Sequence, residues 1–123
     1  EAPLRRADDR LRELDLGAWE GQAWDALDPQ PLAAWGEDFV KVACPGGESY
    51  LDLYDRTSAW RAELPPDLVR VAVVTHGGCI RALLAGWLEL PLESVFRFRI
   101  DPGSVTLLSE RWGRLELAFL NAC

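Results

Sequence analysis

The apolar residues of this chain fall into two rhythms, one helical and one strand-like. From Tyr50 onward, Leu53, Tyr54, Thr57, Trp60 and Leu64 follow one another at the i, i+3, i+4, i+7 spacing that lays a stripe along an α-helix. Ser49 stands where an N-cap side chain accepts from first-turn amides, with Asp52 three residues on in place of the preferred glutamate. Pro65-Pro66 ends the helix, because proline has no N–H to continue the ladder. Ala23 to Phe39 also has helical spacing, with Trp24, Leu27, Trp35 and Phe39 as its buried side, interrupted near Pro29-Gln30-Pro31.

The rhythm changes at Leu68. Leu-Val-Arg-Val-Ala-Val-Val, through Val74, is a nearly continuous β-branched run, the pattern of a strand buried on both faces of a parallel sheet. Thr75-His76-Gly77-Gly78 follows, and Ile80 to Leu88 returns to helical spacing with Leu83, Leu84 and Trp87 on one side. Strand, glycine turn, helix is an α/β signature. Val95–Ile100, Ser104–Leu108 and Leu115–Leu120 read as strands, divided by the turn signals Asp101-Pro102-Gly103 and Trp112-Gly113. They predict an antiparallel edge on a mostly parallel sheet. Near the start, Leu4 before Arg5-Arg6 allows only a short edge strand, and Asp8-Asp9 offers a turn. Leu11 to Gly21, broken by Gly17, reads as a structured loop.

Composition narrows the function. At 123 residues the chain has room for one compact domain, not two. A net charge of −7 argues against nucleic acid or an anionic membrane surface, both of which need clustered cations. No apolar stretch approaches the roughly 20 residues of a membrane span. Three cysteines, Cys44, Cys79 and Cys123, without C-x-x-C spacing, predict neither a disulfide framework nor a zinc site and fit a reducing cytoplasm. The chain begins Glu1-Ala2-Pro3 without an initiator methionine, which predicts that residue 1 is not the native start.

His76 is the single histidine. It falls where a strand passes into a helix, and ligands of open α/β sheets bind beyond the carboxyl ends of strands. The unpaired N–H groups and dipole of the helix N-terminus attract anions there, and Gly77 and Gly78 let the backbone approach closely. Cys79 and Arg81 lie in the same first turn and read as a small packing residue and a solvated surface residue. Among the carboxylates of Leu11–Gly21, spacing alone does not separate Glu13 from Asp15 or Glu20. Any of them, protonated, could deliver a proton to a leaving oxygen.

Motif order carries more than any single residue. Leu11-Arg12-Glu13-Leu14-Asp15-Leu16-Gly17-Ala18-Trp19-Glu20-Gly21, Pro45-Gly46-Gly47-Glu48-Ser49 and Val74-Thr75-His76-Gly77-Gly78 continuing to Ile80-Arg81 together resemble the histidine phosphatase superfamily, with its phosphoglycerate-mutase-like fold. Pro102-Gly103-Ser104-Val105 is similar to the lead-in to its late strand, and Leu16 replaces a usual aromatic. The resemblance is nearest to small α-ribazole and broad-specificity phosphatases. It implies a three-layer α/β/α sandwich with a mostly parallel sheet and an antiparallel edge. It also implies phosphoryl transfer through a phosphohistidine, with Glu13 as general acid and base and His76 as the second histidine, stabilising the phosphoryl group. Gly77 offers its N–H to the same group. Neither metal nor other cofactor is implied, and Trp19 and Glu20 are read as packing and loop-fixing residues.

The family's Arg-His-Gly nucleophile motif and its next arginine-bearing element are absent from the sequence. Residues 1–123 are therefore expected to be the C-terminal part of one histidine phosphatase domain, lacking about 60–80 residues, or two strand–helix units. The expected partner is a small phosphorylated substrate. A homo-oligomer is left open. The short run from Gln22 to Pro45 favours a phosphatase over a phosphoglycerate-mutase-type phosphotransferase. If the chain were complete, a non-catalytic phosphate-binding or scaffold domain would be the alternative.

Overall fold

In the computed structural model, which describes residues 5–123, three α-helices carry the architecture: α1 (Pro29–Glu37), α2 (Tyr50–Ala62) and α3 (Gly77–Leu88). A β-hairpin follows, β1 (Val105–Arg111) and β2 (Arg114–Ala122). Short 3₁₀ turns fill the connections at Asp9–Leu11, Gly17–Trp19, Trp24–Ala26 and Leu92–Arg97. Leu4, the apolar residue of the expected N-terminal edge strand, lies outside the described residues. Asp8 caps the first 3₁₀ turn by accepting from the Arg10 amide at 2.9 Å.

α2 begins as its capping residues dictate. The Ser49 hydroxyl accepts from the Asp52 amide at 3.2 Å, and the Asp52 carboxylate accepts from the Ser49 amide at 2.9 Å. Aspartate thus closes the capping box one methylene shorter than glutamate would. Tyr50, Leu53 and Thr57 form the buried face, against α3. Thr57 satisfies its hydroxyl on the Leu53 carbonyl at 2.9 Å. From α3, Cys79, Ala82 and Ala85 join Leu53, Leu14, Trp19, Cys44, Tyr50 and Val95 in the core.

The prolines at 29 and 31 begin a helix and do not interrupt one. Asp28 caps α1, its carboxylate accepting from the Gln30 amide at 3.1 Å, and proline in a first turn costs no hydrogen bond. Trp24, expected on a buried side, is 55% exposed; Leu27 is buried. Val95–Ile100 is likewise no strand. Leu92–Arg97 winds as a 3₁₀ helix after Pro91, burying Val95 completely.

Leu68–Val74 departs furthest from the expectation. No strand pairing forms there, and Val69 and Val74 are 96% and 98% exposed. A strand exists only through a partner's N–H and C=O groups, and among the described residues the sheet is β1 paired with β2 alone. That hairpin is antiparallel, as its alternation predicts. Its two-residue turn places Trp112 and Gly113 at φ 53° and 74°, the left-handed pair that matches strand twist.

Two signature segments are joined edge to edge. The Ala18 amide donates to the Pro45 carbonyl and the Glu48 amide to the Asp15 carbonyl, both at 2.8 Å. The contact is close enough that a Cβ on Gly17 would overlap the Pro45 carbonyl oxygen, and one on Gly47 the Asp15 carbonyl oxygen. Gly17 also has φ 55°, so glycine is required twice over.

Candidate active site

The Leu11–Glu13 segment runs beside the start of α3, held from that side by Thr75, Cys79 and Gly78. The Thr75 hydroxyl donates to the Leu11 carbonyl at 2.6 Å, and the Cys79 thiol donates to the Arg12 carbonyl at 2.8 Å. The contact from Gly78 is chemical as well as structural: its amide donates to Glu13 Oε2 at 3.1 Å. Glu13 Oε1 accepts from the Leu14 amide at 2.8 Å. An otherwise exposed carboxylate is therefore seated on the N-terminal turn of a twelve-residue helix, where the helix dipole favours negative charge.

His76 is the N-cap of that helix, with extended backbone (φ −116°, ψ 163°), an exposed side chain, and its carbonyl accepting from the Ile80 amide at 2.9 Å. It lies two residues from the amide that holds Glu13. Gly77 is the first helical residue, and its N–H meets no acceptor among the described residues. The sequence-derived trio of Glu13, His76 and Gly77 is thus brought to one helix end.

Gly78 was legible only as half of a glycine pair, and the structure gives it a separate duty. A Cβ at this position would overlap Glu13 Oε1, so glycine is what lets the carboxylate lie against the helix.

Arg81 differs from the expectation of a solvated surface group. It is half-buried, donates from Nε to the Phe98 carbonyl at 3.0 Å, and rests over the Phe96 ring at 5.5 Å from its centroid. Its Nη1 would lie 3.2 Å from a Cβ on Gly77, which puts a fixed positive charge beside the helix N-terminus. The sequence carried no signal for this beyond an arginine one turn after the histidine.

Cys79 is fully buried, and burial pushes its thiol pKa up, the reverse of an activated nucleophile. It packs, as expected. Trp19 is buried, and Glu20 accepts the Leu16 amide at 3.0 Å, so both fix the loop.

Two hollows flank the site. One of about 770 Å³ opens among Asp9, Arg12, Glu13, Asp15, Glu20, Glu48 and Arg56; its carboxylates repel a phosphate, and His76 is not on its wall. The other, about 440 Å³, is walled by Trp24, Trp35, Gly36, Phe39 and Phe96. Its aromatic rings meet at 4.7 Å (Phe39–Phe96) and 6.0 Å (Trp24–Trp35). Through Phe96 it adjoins Arg81. Among the described residues no helix is long and apolar enough to cross a membrane.

The chain as a whole is similar to proteins already known. The chain is 40% identical over 103 residues to glucosyl-3-phosphoglycerate phosphatase of Mycobacterium tuberculosis (strain ATCC 25618 / H37Rv), an alignment covering 72% of this chain and 45% of that protein. It superposes on the α-ribazole phosphatase of Shigella flexneri with a TM-score of 0.81 at 25% identity, over 94% of this chain and 59% of the other. The mycobacterial glucosyl-3-phosphoglycerate phosphatase in complex with inorganic phosphate gives 0.77 at 36% identity, over 95% and 64%. The chain spans about half the length of the curated relatives it matches. With these structural neighbours, its mixture of helix and sheet is the α/β, phosphoglycerate-mutase-like fold that the motifs implied. The family model "Histidine phosphatase superfamily (branch 1)" matches residues 4–122, and the chain belongs to that superfamily.

Proposed function

We propose that this chain is the C-terminal part of a phosphomonoesterase domain that works through a phosphohistidine, with the nucleophilic histidine contributed by a segment outside these 123 residues. The observation that carries the reading is Glu13 seated on the Gly78 amide, one short turn from the exposed His76. A phosphoryl group resting against His76 and the Gly77 N–H would share the positive end of α3 with the Glu13 carboxyl. In the first half-reaction the nucleophilic imidazole takes the phosphoryl group, and protonated Glu13 gives its proton to the leaving alkoxide. In the second, ionised Glu13 takes a proton from water as the water oxygen attacks phosphorus, and the imidazole leaves. His76 and the helix amides stabilise the charge on the equatorial oxygens throughout.

The exposed Leu68–Val74 run supports the same reading, because a strand from that outside segment would pair with it and cover Val69 and Val74. The substrate class is a small organic phosphomonoester. The aromatic hollow beside Arg81 suits an organic leaving group with apolar or ring surface, in keeping with the sugar-bearing and ribazole substrates named for the relatives.

The test is hydrolysis of p-nitrophenyl phosphate by the full-length product of the reading frame, beside Glu13→Ala and His76→Ala. Each variant is expected to lose roughly 10²–10⁴-fold in kcat. Equal turnover by all three proteins would remove both residues from the mechanism.

A further inference from the structure

Arg56, on the buried side of α2, is aligned with nothing in the chemistry above, yet its guanidinium makes more hydrogen bonds than any other side chain among the described residues. Nε donates to Glu48 Oε2 at 2.9 Å and Nη2 to Glu48 Oε1 at 2.9 Å, a two-pronged pair. Nη1 donates to the Arg10 and Arg12 carbonyls, both at 2.7 Å, and Nη2 also reaches the Glu13 carbonyl at 3.0 Å. Five contacts account for the whole donor set of an arginine. None is left for a phosphoryl oxygen, so Arg56 is not a phosphate-binding arginine.

Its acceptors have a common feature. The carbonyls of residues 10, 12 and 13 are the backbone that leads into the Glu13 side chain. Glu48, the other acceptor, takes the Asp15 amide on Oε1 at 2.9 Å, while its own amide donates to the Asp15 carbonyl. Arg56 and Glu48 therefore grip the loop on both sides of Glu13. Their side chains are only 21% and 22% exposed, and such a pair is screened less than one at the surface.

We propose that Arg56, through Glu48, is the positioning residue of Glu13: it fixes the backbone from which the proton-transfer carboxyl reaches the first turn of α3. Planarity is essential to the role. Lysine carries the charge without the fork and cannot span three carbonyls and a carboxylate. A carboxyl displaced by about an ångström still binds nothing of the substrate but no longer meets the leaving oxygen, so turnover falls while binding is kept. The inference rests on the proposed function for its kinetic meaning and on geometry alone for its structural one.

The experiment uses the full-length protein with Arg56→Gln and Arg56→Lys. Steady-state hydrolysis of p-nitrophenyl phosphate is read together with hydrogen exchange in peptides spanning 11–16, 50–62 and 76–80. The expected result is a fall in kcat of at least about tenfold with KM within about threefold, in both variants. Exchange should quicken at Leu14 and Gly78, the amides that hold the Glu13 carboxylate, with α2 still protected. Unchanged kcat with unchanged exchange in 11–16 would overturn the proposal. So would a loss of α2 protection in step with activity, which would make Arg56 a general support of the fold. If wild-type protein hydrolyses nothing, the functional reading fails, and the exchange at Leu14 and Gly78 still decides whether Arg56 positions Glu13.

Discussion

Leu53 and Leu84, on α2 and α3, are almost wholly covered, while Val69 and Val74 in the link between those helices are almost wholly bare. Both regions are rich in large aliphatic side chains. The difference lies in how each element satisfies its backbone. A helix bonds its own N–H and C=O groups, so α2 and α3 need only each other's apolar stripes to make a core. A buried strand needs neighbours on two sides, and residues 68–74 have none among the described residues. One part of the chain carries its solution within itself; the other would need a partner.

The first way to break this contrast is Val74→Lys. In the 123-residue chain it places a charge in water and is expected to reduce self-association, measured by sedimentation velocity. In the full-length protein, where we propose a covering strand, the same change buries an unpaired charge and is expected to cost several kcal/mol, read by denaturant unfolding. Equal tolerance in both would mean that nothing covers this segment. Leu53→Ala strikes the self-contained region. It should cost about 2–5 kcal/mol in the full-length protein, because it opens a cavity between two helices that relax only in part.

Gly78→Ala tests the seam where the two regions meet. Its Cβ overlaps Glu13 Oε1, an overpacking worth about 1–3 kcal/mol, and kcat should fall together with stability. Ser49→Ala removes half of the α2 capping box and is expected to cost about 1 kcal/mol.

The smallest effect is on pH. The two-pronged hydrogen bond from Arg56 holds the Glu48 carboxyl below its ordinary value of 4.5. A carboxyl whose folded pKa is depressed stabilises the protein fully above the unfolded value, and that contribution fades as pH falls through the folded one. Stability should therefore decline below about pH 4.5, and Glu48→Gln should flatten that limb in thermal melts. An unchanged limb would show the pair to be dispensable.

How far the sequence could be read followed the same division. The capping box at Ser49 and Asp52, the stop before Pro65 and the turn at Trp112-Gly113 are local devices, each complete within a few residues, and each appears where its residues predict. The β-branched run at 68–74 spells a buried strand, but pairing is not a local property and no spacing can supply the partner. Val95–Ile100 shows a lesser ambiguity: a short apolar run fits a strand until Pro91 starts a 3₁₀ turn. At the candidate site, motif order points to Glu13, His76 and Gly77, which lie together at the N-terminal end of α3. Arg56 was passed over, although a signal existed. It falls three residues after Leu53 and directly before Thr57, both buried, and an arginine inside an apolar stripe needs acceptors to justify its place.

The close glycine contacts at 17 and 47 bear on how this protein could be altered. They bolt together the two ends of a 23-residue excursion, residues 21–43, which carries Trp24, Trp35 and Phe39 of the aromatic hollow. Its feet are pinned, but its rings are not equivalent: Trp24 is half exposed, whereas Trp35 and Phe39 pack against the core beside Trp19 and Tyr50. If the hollow receives the leaving group, as proposed above, Trp24 is the ring to vary first when selectivity is to be changed, with both glycines and the two core-packed rings left alone.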